Sequence, residues 1–243
     1  MITFVSQTGS TNQDLADRIR SAELVREGDW LVARRQTEGR GRQGREWFDG
    51  EGNFMGSTVV HRRDGDPPAP TLALLAGLAV QEAADWHLPE GCKVQLKWPN
   101  DVLLDGAKLA GILLERVDDT IVVGIGVNLV SSPDLVDRKT TSLADVGSET
   151  DCDVFAKDLA RIFDLDLERW RNFGLAPVLR RWLAAAHEIG TQMTVIEPGE
   201  GDVSGVFNGL DDTGALQLGL ADGSTRVIHA GDVILGTIDK QGR

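Results

Sequence analysis

A dense cluster of arginine and glycine residues is the clearest chemical signal in this chain. Residues 34–45 have the sequence RRQTEGRGRQGR, with five arginines and one glutamate, in a chain whose formal net charge is −13. Glycine lets the backbone approach a ligand and direct N–H groups at it, and guanidinium groups match phosphate and carboxylate. We therefore interpret the segment as an anion-binding loop that orders over its ligand, in preference to a solvated basic loop.

The three glycines of this segment also match the dinucleotide-binding pattern G-x-G-x-x-G. That pattern requires a helix directly after the glycines, whereas here Trp47–Gly50 and then a β-type run follow. We therefore reject the dinucleotide-binding interpretation.

A second cluster, Lys97-Trp98-Pro99-Asn100-Asp101, combines a lysine, an amide and a carboxylate. Pro99 ends the preceding strand, so we expect Asn100 and Asp101 at a strand end or on a turn. Lys97 can neutralise phosphate, and the oxygens of Asn100 and Asp101 suit Mg²⁺, which commonly binds together with substrate phosphates. An ordinary β-turn explains the same five residues equally well.

A third cluster is the run KLAGILLE at residues 108–115, in which a lysine begins an apolar strand. Gly111 inside it indicates a bulge or the close approach of a flat group. Taken alone, the run is typical of a strand with a lysine whose stem packs on apolar surface, and Asn128 after the next strand is typical of a capping residue. The scattered histidines and Ser10 indicate neither zinc chemistry nor a catalytic triad.

Hydrophobic patterning predicts the elements that must hold these residues. Strands are expected at residues 2–5, 29–35, 53–61, 94–98, 109–117 and 121–127, and helices from Ser10 to about Ala22 and at 71–86, 151–172 and 176–187. From Gly190 onward, five short runs separated by turn residues predict a small β-barrel. We place the boundary near residue 189, which gives domains of residues 1–189 and 190–243.

The composition limits the class of protein. Hydrophobic residues make up 41% of the chain, which supports a folded core, and the acidic balance argues against broad nucleic-acid binding. Cys92 and Cys152 lack the spacing of a disulfide scaffold or a zinc site. No secretory leader is visible, and the longest apolar run, residues 72–80, is far shorter than the roughly 20 residues that span a bilayer. These features predict a soluble protein of the reducing cytoplasm with no membrane partner.

From the residues alone, the chain fits a phosphoryl- or nucleotidyl-transfer enzyme or a small nucleotide-binding module. The order of its motifs, however, closely resembles that of the biotin protein ligase family. The motifs that carry this resemblance are Ser10-Thr11-Asn12, Gln36, Gly39 to Arg45, Trp47, Gly52-Asn53, Lys97 to Asp101, Lys108 to Leu113 and Gly126 to Asn128. The resemblance covers about residues 5–130 and, more loosely, the C-terminal region. It implies an α+β fold with a mixed or antiparallel sheet flanked by helices, as in class II synthetases, followed by a small SH3-like β-barrel.

The resemblance also implies a two-step reaction. The carboxylate of biotin attacks the α-phosphate of ATP, which gives biotinyl-adenylate and pyrophosphate, and a lysine of a biotin carboxyl carrier domain then attacks the mixed anhydride. The implied partners are biotin, ATP with Mg²⁺, and the carrier domain of a biotin-dependent carboxylase.

Bifunctional members of that family carry a DNA-binding domain ahead of the Ser-Thr-Asn motif. Only nine residues precede Ser10 here, so we expect a ligase with no repressor function and no DNA partner. A monomer and a homodimer are both compatible with these motifs.

The resemblance assigns a role to each residue of these motifs. Biotin is expected to contact Ser10, Thr11, Asn12, Gln36, Gly39, Arg40, Gly41, Arg42, Lys108 and Gly111. ATP or the adenylate is expected to contact Arg45, Trp47, Lys97, Asn100 and Asn128, with the indole packed on the adenine. The expected catalytic residues are Arg42, Lys108 and Asp101, and Asp101 is expected either to bind Mg²⁺ or to orient the acceptor lysine.

Two alternatives accompany this interpretation. Lipoate-protein ligases share the general fold and chemistry, but the Gly/Arg loop together with KWPND favours biotin. A module that merely holds biotin or a nucleotide would be expected to lose charged residues of the transfer site, whereas Arg40, Arg42, Lys97, Asp101 and Lys108 are all present. We therefore favour an enzyme.

Overall fold

The main sheet of the protein has seven strands. In the computed structural model, which describes residues 1–136 and 138–236, they are β1 (Ile2–Val5), β2 (Trp30–Ala33), β3 (Phe54–His61), β4 (Val94–Lys97), β5 (Asp101–Leu104), β6 (Ala107–Val117) and β7 (Thr120–Val127). Their order across the sheet is β1-β2-β3-β7-β6-β5-β4. β1 pairs parallel with β2, and the other neighbours in this sheet pair antiparallel.

Helices cover both faces of this sheet. They are α1 (Thr11–Arg20), α2 (Leu72–Asp85), α3 (Cys152–Phe173) and α4 (Ala176–Ala185). Because successive strand residues face opposite sides, Val32 packs in the large core with α2 and α3, while Leu31 packs in a smaller core with Leu15 of α1. The face that carries α1 is only partly covered, and the rest of it is free to form a site.

The C-terminal region forms a second, five-stranded sheet. Its strands are β8 (Gln192–Glu197), β9 (Gly201–Leu210), β10 (Leu216–Gly219), β11 (Thr225–Ile228) and β12 (Asp232–Leu235), in the order β11-β10-β9-β8-β12. All neighbours pair antiparallel. The ring of Phe207 on β9 meets Trp182 of α4 at a centroid distance of 6.5 Å, so the apolar core continues from one sheet to the other.

The predicted fold class is confirmed: a mixed sheet flanked by helices, followed by a small antiparallel β-domain. Asn100 lies on the turn of residues 98–100 and Asp101 is the first residue of β5, opposite Lys97, which agrees with the predicted turn or strand end. The strand β5 itself is not among the predicted strands. The domain boundary near residue 189 stays a prediction, and β8 begins shortly after it. Within the described ranges, no helix is both long and apolar enough to cross a membrane.

Candidate active site

A single cleft gathers the residues that the sequence motifs single out. It lies on the α1 face of the main sheet and has a volume of about 1370 Å³. All sixteen predicted site residues line it: Ser10, Thr11, Asn12, Gln36, Gly39, Arg40, Gly41, Arg42, Arg45, Trp47, Lys97, Asn100, Asp101, Lys108, Gly111 and Asn128. A pocket for one drug-sized ligand measures about 300–1,000 Å³, so this cleft has room for two small molecules side by side.

Glycines form the floor of the cleft. Gly111 of β6 pairs with Gly126 of β7, and the indole of Trp47 lies on both. A Cβ at Gly126 would come within 2.2 Å of Trp47 Cε2, and one at Gly111 within 3.0 Å of Cζ3. A side chain at Gly126 would overlap the indole and one at Gly111 would crowd it, so the two glycines let this flat group lie directly on the sheet.

One end of the cleft, which we call the polar end, is formed by Thr11, Asn12, Gln36 and Ser57. All four are buried, and they hydrogen-bond to one another. Ser57 Oγ lies 2.6 Å from Asn12 Oδ1 and 2.7 Å from Thr11 Oγ1. The backbone N–H of Thr11 donates to Gln36 Oε1 at 2.8 Å. This end is rich in donors and acceptors and holds no charge among these four side chains, so it suits a neutral polar ligand group.

The elements around the polar end fix its geometry. Ser10 caps α1 through its side chain, which accepts from the N–H of Gln13, so the next two residues begin the helix at the cleft. The amide of Asn12 lies on Gly124 of β7, where a Cβ would come within 2.2 Å of Asn12 Oδ1. The N–H of Gln36 donates to Asp49 Oδ1 at 2.9 Å, which holds that segment in place.

The other end of the cleft, the cationic end, is formed by Arg42, Lys97 and Lys108 around the carboxylate of Asp101. Asp101 is buried, and its two oxygens pair with Lys97 Nζ at 2.9 Å and Lys108 Nζ at 2.6 Å. Burial alone raises the pKa of Asp101, but Lys108 and Lys97 outweigh burial and lower the pKa from 3.8 to about 2. One carboxylate therefore holds two ammonium groups in place and leaves a net positive charge.

The Gly/Arg segment closes over the cationic end as a tight hairpin. The N–H of Gly41 donates to the carbonyl of Arg45 at 2.7 Å, and a short 3₁₀ turn spans Arg42–Gly44 at the tip. The guanidinium of Arg42 donates to Asn100 Oδ1 at 3.1 Å, and Asn100 Nδ2 donates to the carbonyl of Ile112 at 2.7 Å. Asn100 thus ties the hairpin to β6.

The C-terminal domain completes the wall of the cationic end. Asp232, the first residue of β12, pairs with Arg42 at 3.5 Å and also with Arg45. Lys97 Nζ donates to the carbonyl of Val233 at 3.1 Å, and Trp98 Nε1 donates to the carbonyl of Gly214 at 3.2 Å. The two domains therefore meet at the residues suited to bind an anion.

The side chains present do not fit a metal ion held by the protein alone. In the part of the chain that the structure describes, no group of three or more His, Cys, Asp or Glu side chains could hold a metal. Both oxygens of Asp101 already accept from ammonium groups. The role of Asp101 as a Mg²⁺ ligand stays a prediction, and these ion pairs do not favour it.

The roles of several residues of the site could not be predicted from the sequence. The sequence motifs do not single out the role of Ser57, Gly124 or Asp232, because each meets its partners only through strand pairing or domain packing. Ser57 and Gly124 face each other across β3 and β7, a register that the local sequence does not specify.

Asn128, one of the predicted site residues, is buried. It ties β7 to a neighbouring segment by donating from Nδ2 to the carbonyl of Thr141 at 3.0 Å.

Both domains match known protein families. Residues 4–129 match the model of the biotin/lipoate A/B protein ligase family, and residues 189–236 match that of the biotin protein ligase C terminal domain. The chain belongs to the biotin/lipoate A/B protein ligase family. The first match spans the polar end, the Gly/Arg hairpin and the cationic end, and the second spans the strand that carries Asp232.

The chain is similar over most of its length to named biotin ligases. It is 36% identical over 244 residues to the biotin–[acetyl-CoA-carboxylase] ligase of Paracoccus denitrificans, with 96% of this chain and 100% of that protein covered. It is 39% identical over 239 residues to the enzyme of the same name from Mycobacterium tuberculosis, with 96% and 88% covered. Among solved structures, the biotin protein ligase from Aquifex aeolicus in complex with biotin and ATP matches with a TM-score of 0.83 and 27% identity, over 97% of this chain and 98% of that one.

Proposed function

We propose that the protein is an ATP-dependent biotin protein ligase, which activates biotin as biotinyl-5′-AMP and transfers it to a lysine of a biotin carboxyl carrier domain. One observation carries the proposal: a neutral hydrogen-bonding end and a cationic end lie in one cleft with room for two ligands. Biotin is itself divided in this way, into a neutral ureido ring and a carboxylate arm. The likeness to ligases that bear this activity in their names supports the same conclusion.

In the first step, an oxygen of the biotin carboxylate forms a bond to the α-phosphorus of ATP, and the bond from that phosphorus to the bridging oxygen of pyrophosphate breaks. Two anions must come together, so cations are needed to offset their repulsion and the charge that develops. Lys108 and Arg42 are the cations we assign to this task. Lys108 emerges beside Gly111, and Arg42 reaches the same end from the hairpin.

In the second step, the amine of the carrier lysine attacks the carbonyl carbon of the adenylate, and AMP leaves. The adenylate is a mixed anhydride that water hydrolyses, so a cover over it protects the intermediate. We assign this cover to the Gly/Arg hairpin, and we assign the indole of Trp47 to packing on the adenine. The carrier domain is the proposed macromolecular partner, and it must reach the open side of the cleft.

We assign Asp101 to holding Lys97 and Lys108 in place, because it contacts both ammonium groups. Lys97, Arg45, Asn100 and Asn128 are assigned to the nucleotide side. Mg²⁺ would arrive with the phosphates of ATP, and no step of this mechanism depends on a protein ligand to it.

We further propose that the protein acts in the cytoplasm, where ATP is available, and without binding DNA. Its net charge of −13 is unfavourable for contact with a polyanion. Cys92 and Cys152 are free thiols, as a reducing compartment requires.

Lipoate is the main competing substrate. Its dithiolane ring has no N–H donor and no carbonyl, so it would leave the buried groups of Thr11, Asn12, Gln36 and Ser57 without ligand partners. Buried polar groups that lose their partners cost binding energy. The polar end therefore favours biotin.

The exchange of labelled pyrophosphate into ATP tests the proposal. With purified protein, ATP and Mg²⁺, exchange is expected with biotin and not with lipoate. Exchange with lipoate alone would identify a lipoate ligase. Binding of biotin without exchange would identify an inert module.

A further inference from the structure

Glu115 ends a hydrogen-bonded chain that begins at the polar end of the cleft. Its Oε2 accepts from Asn12 Nδ2 at 2.7 Å. Glu115 lies on β6, outside the set of described residues that line the cleft. Gly111 and Leu113 of the same strand line the cleft, and since alternate strand residues share a face, Glu115 lies on this face too. It lies beyond Asn12 and acts on the polar end through that amide.

An ionised carboxylate can only accept hydrogen bonds, and this fixes the direction of each bond in the chain. Asn12 must turn its NH₂ group towards Glu115 and its Oδ1 towards Ser57. Ser57 must then donate to Asn12, so its oxygen can accept from Thr11 Oγ1 at 2.7 Å. Both hydroxyl protons are thereby held by protein acceptors: that of Ser57 by Asn12 Oδ1, and that of Thr11 by Ser57 Oγ or by Gln36 Oε1 at 3.1 Å.

The same chain sets what the polar end offers to a ligand. Because protein acceptors hold both protons, the hydroxyl oxygens of Thr11 and Ser57 are left with lone pairs to offer a ligand. Gln36 Oε1 is occupied by the N–H of Thr11, so the amide of Gln36 is left with its NH₂ group to donate. A ligand that fits this pattern carries N–H donors beside a carbonyl acceptor, as a cyclic urea does.

We infer that Glu115 is a positioning residue that sets the donor and acceptor pattern of the polar end and so selects a cyclic urea. The inference rests on the proposed function, since biotin is the urea concerned. Glu115 contributes nothing to the attack on ATP. Its effect is confined to the affinity of the enzyme for the biotin ring.

The Glu115→Gln variant tests this inference. Glutamine has the same shape but can both donate and accept, so it no longer dictates the direction of the chain. We expect the KM for biotin in pyrophosphate exchange to rise about tenfold, the loss typical of a bond to a charged group. The KM for ATP and the kcat should stay within about twofold. Glu149→Gln removes the same charge from an exposed position and should change none of these constants.

A double-mutant cycle with Ser57→Ala identifies the route of the effect. Ser57→Ala interrupts the chain at its middle without altering a charge, and should also raise the KM for biotin selectively. Because both variants break the same chain, the double variant should lose no more than the stronger single variant. Additive losses would overturn the inference, since Glu115 would then act by another route.

Two further outcomes would also overturn it. One is an unchanged KM for biotin in Glu115→Gln. The other is a parallel loss in the constants for both substrates, measured well below the thermal midpoint of each variant so that every protein is folded. If the parent protein itself gives no biotin-dependent exchange, the proposed function fails, which is a different result from either of these.

Discussion

At the polar end of the cleft, the side chains of Thr11, Asn12 and Ser57 hold one another by short hydrogen bonds, whereas at the cationic end two lysines are held by the single carboxylate of Asp101. The polar end is built from α1 and the centre of the sheet. The cationic end is closed by a hairpin and by the C-terminal domain. One end is a network of hydrogen-bonded neutral side chains, and the other gathers charge from three separate parts of the chain.

This contrast separates recognition from chemistry. Hydrogen bonds at a preformed neutral site discriminate between ligands, because a wrong ligand leaves buried groups without partners. Fixed cations instead stabilise charge as it develops in the transition state. Substitutions at the polar end should therefore change the KM for biotin, and substitutions at the cationic end should change kcat or the retention of the intermediate.

The largest expected effect is that of Lys108→Ala. Loss of one positioned cation should lower the kcat of biotin-dependent pyrophosphate exchange by about 10²- to 10³-fold. Lys157→Ala removes a lysine from an exposed position on α3 and should leave the rate unchanged. An effect of Lys108→Ala on the KM for biotin alone would break the separation between the two ends.

Asp101→Asn should destabilise the protein. The pKa of Asp101 in the folded protein is about 2, below its ordinary value of 3.8, so the carboxylate stabilises the fold above about pH 4 and this contribution is lost as the pH falls towards 2. The shift corresponds to about 2 kcal/mol at pH 7.

Urea unfolding at several pH values measures this contribution. Asp101→Asn should be the less stable protein at pH 7 and should approach the parent near pH 2.5. The exposed substitution Asp64→Asn serves as the control. The same pH dependence in Asp101→Asn and the parent would contradict the assigned ion pairs.

Gly124→Ala should act at the polar end. The added Cβ would come within 2.2 Å of Asn12 Oδ1, so the amide must move. We expect the KM for biotin to rise about tenfold, since overpacking of this kind costs about 1–3 kcal/mol, with little change in kcat. Gly77→Ala on α2 places its Cβ 3.4 Å from Leu96, an ordinary contact, and is the matched control. A fall in kcat in Gly124→Ala at unchanged KM would reverse the assignment of the two ends.

The smallest expected effect is that of Asp232→Asn. It removes the carboxylate that pairs with Arg42 and Arg45, and partly exposed pairs of this kind are worth about 1 kcal/mol or less. Labelled adenylate should escape about three- to fivefold faster in the absence of a carrier. Arg42→Gly should have a larger effect in the same direction. Unchanged retention in both variants would show that the hairpin does not cover the intermediate.

The sequence predicts which residues of this site bind an anion better than it predicts which residues hold them in place. Arg42, Lys97 and Lys108 stand in short motifs whose residue types already indicate anion binding, so the cationic end can be predicted. The ion pairs of Asp101 could not be predicted. Pro99 indicates the end of one strand but not the start of the next, so the sequence does not show that Asp101 begins β5 opposite Lys97. Glu115 and Asp232 lie far along the chain from the residues they hold, and only strand register and domain packing bring them together.

A crystal structure with biotin and ATP both bound tests the separation of the two ends most directly. We expect the ureido ring to lie against Thr11, Asn12 and Gln36, and the carboxylate and α-phosphate to lie within hydrogen-bonding distance of Lys108 and Arg42. A ligand bound in the reverse direction, or a Gly/Arg hairpin with its guanidinium groups in solvent while both substrates are bound, would contradict the account.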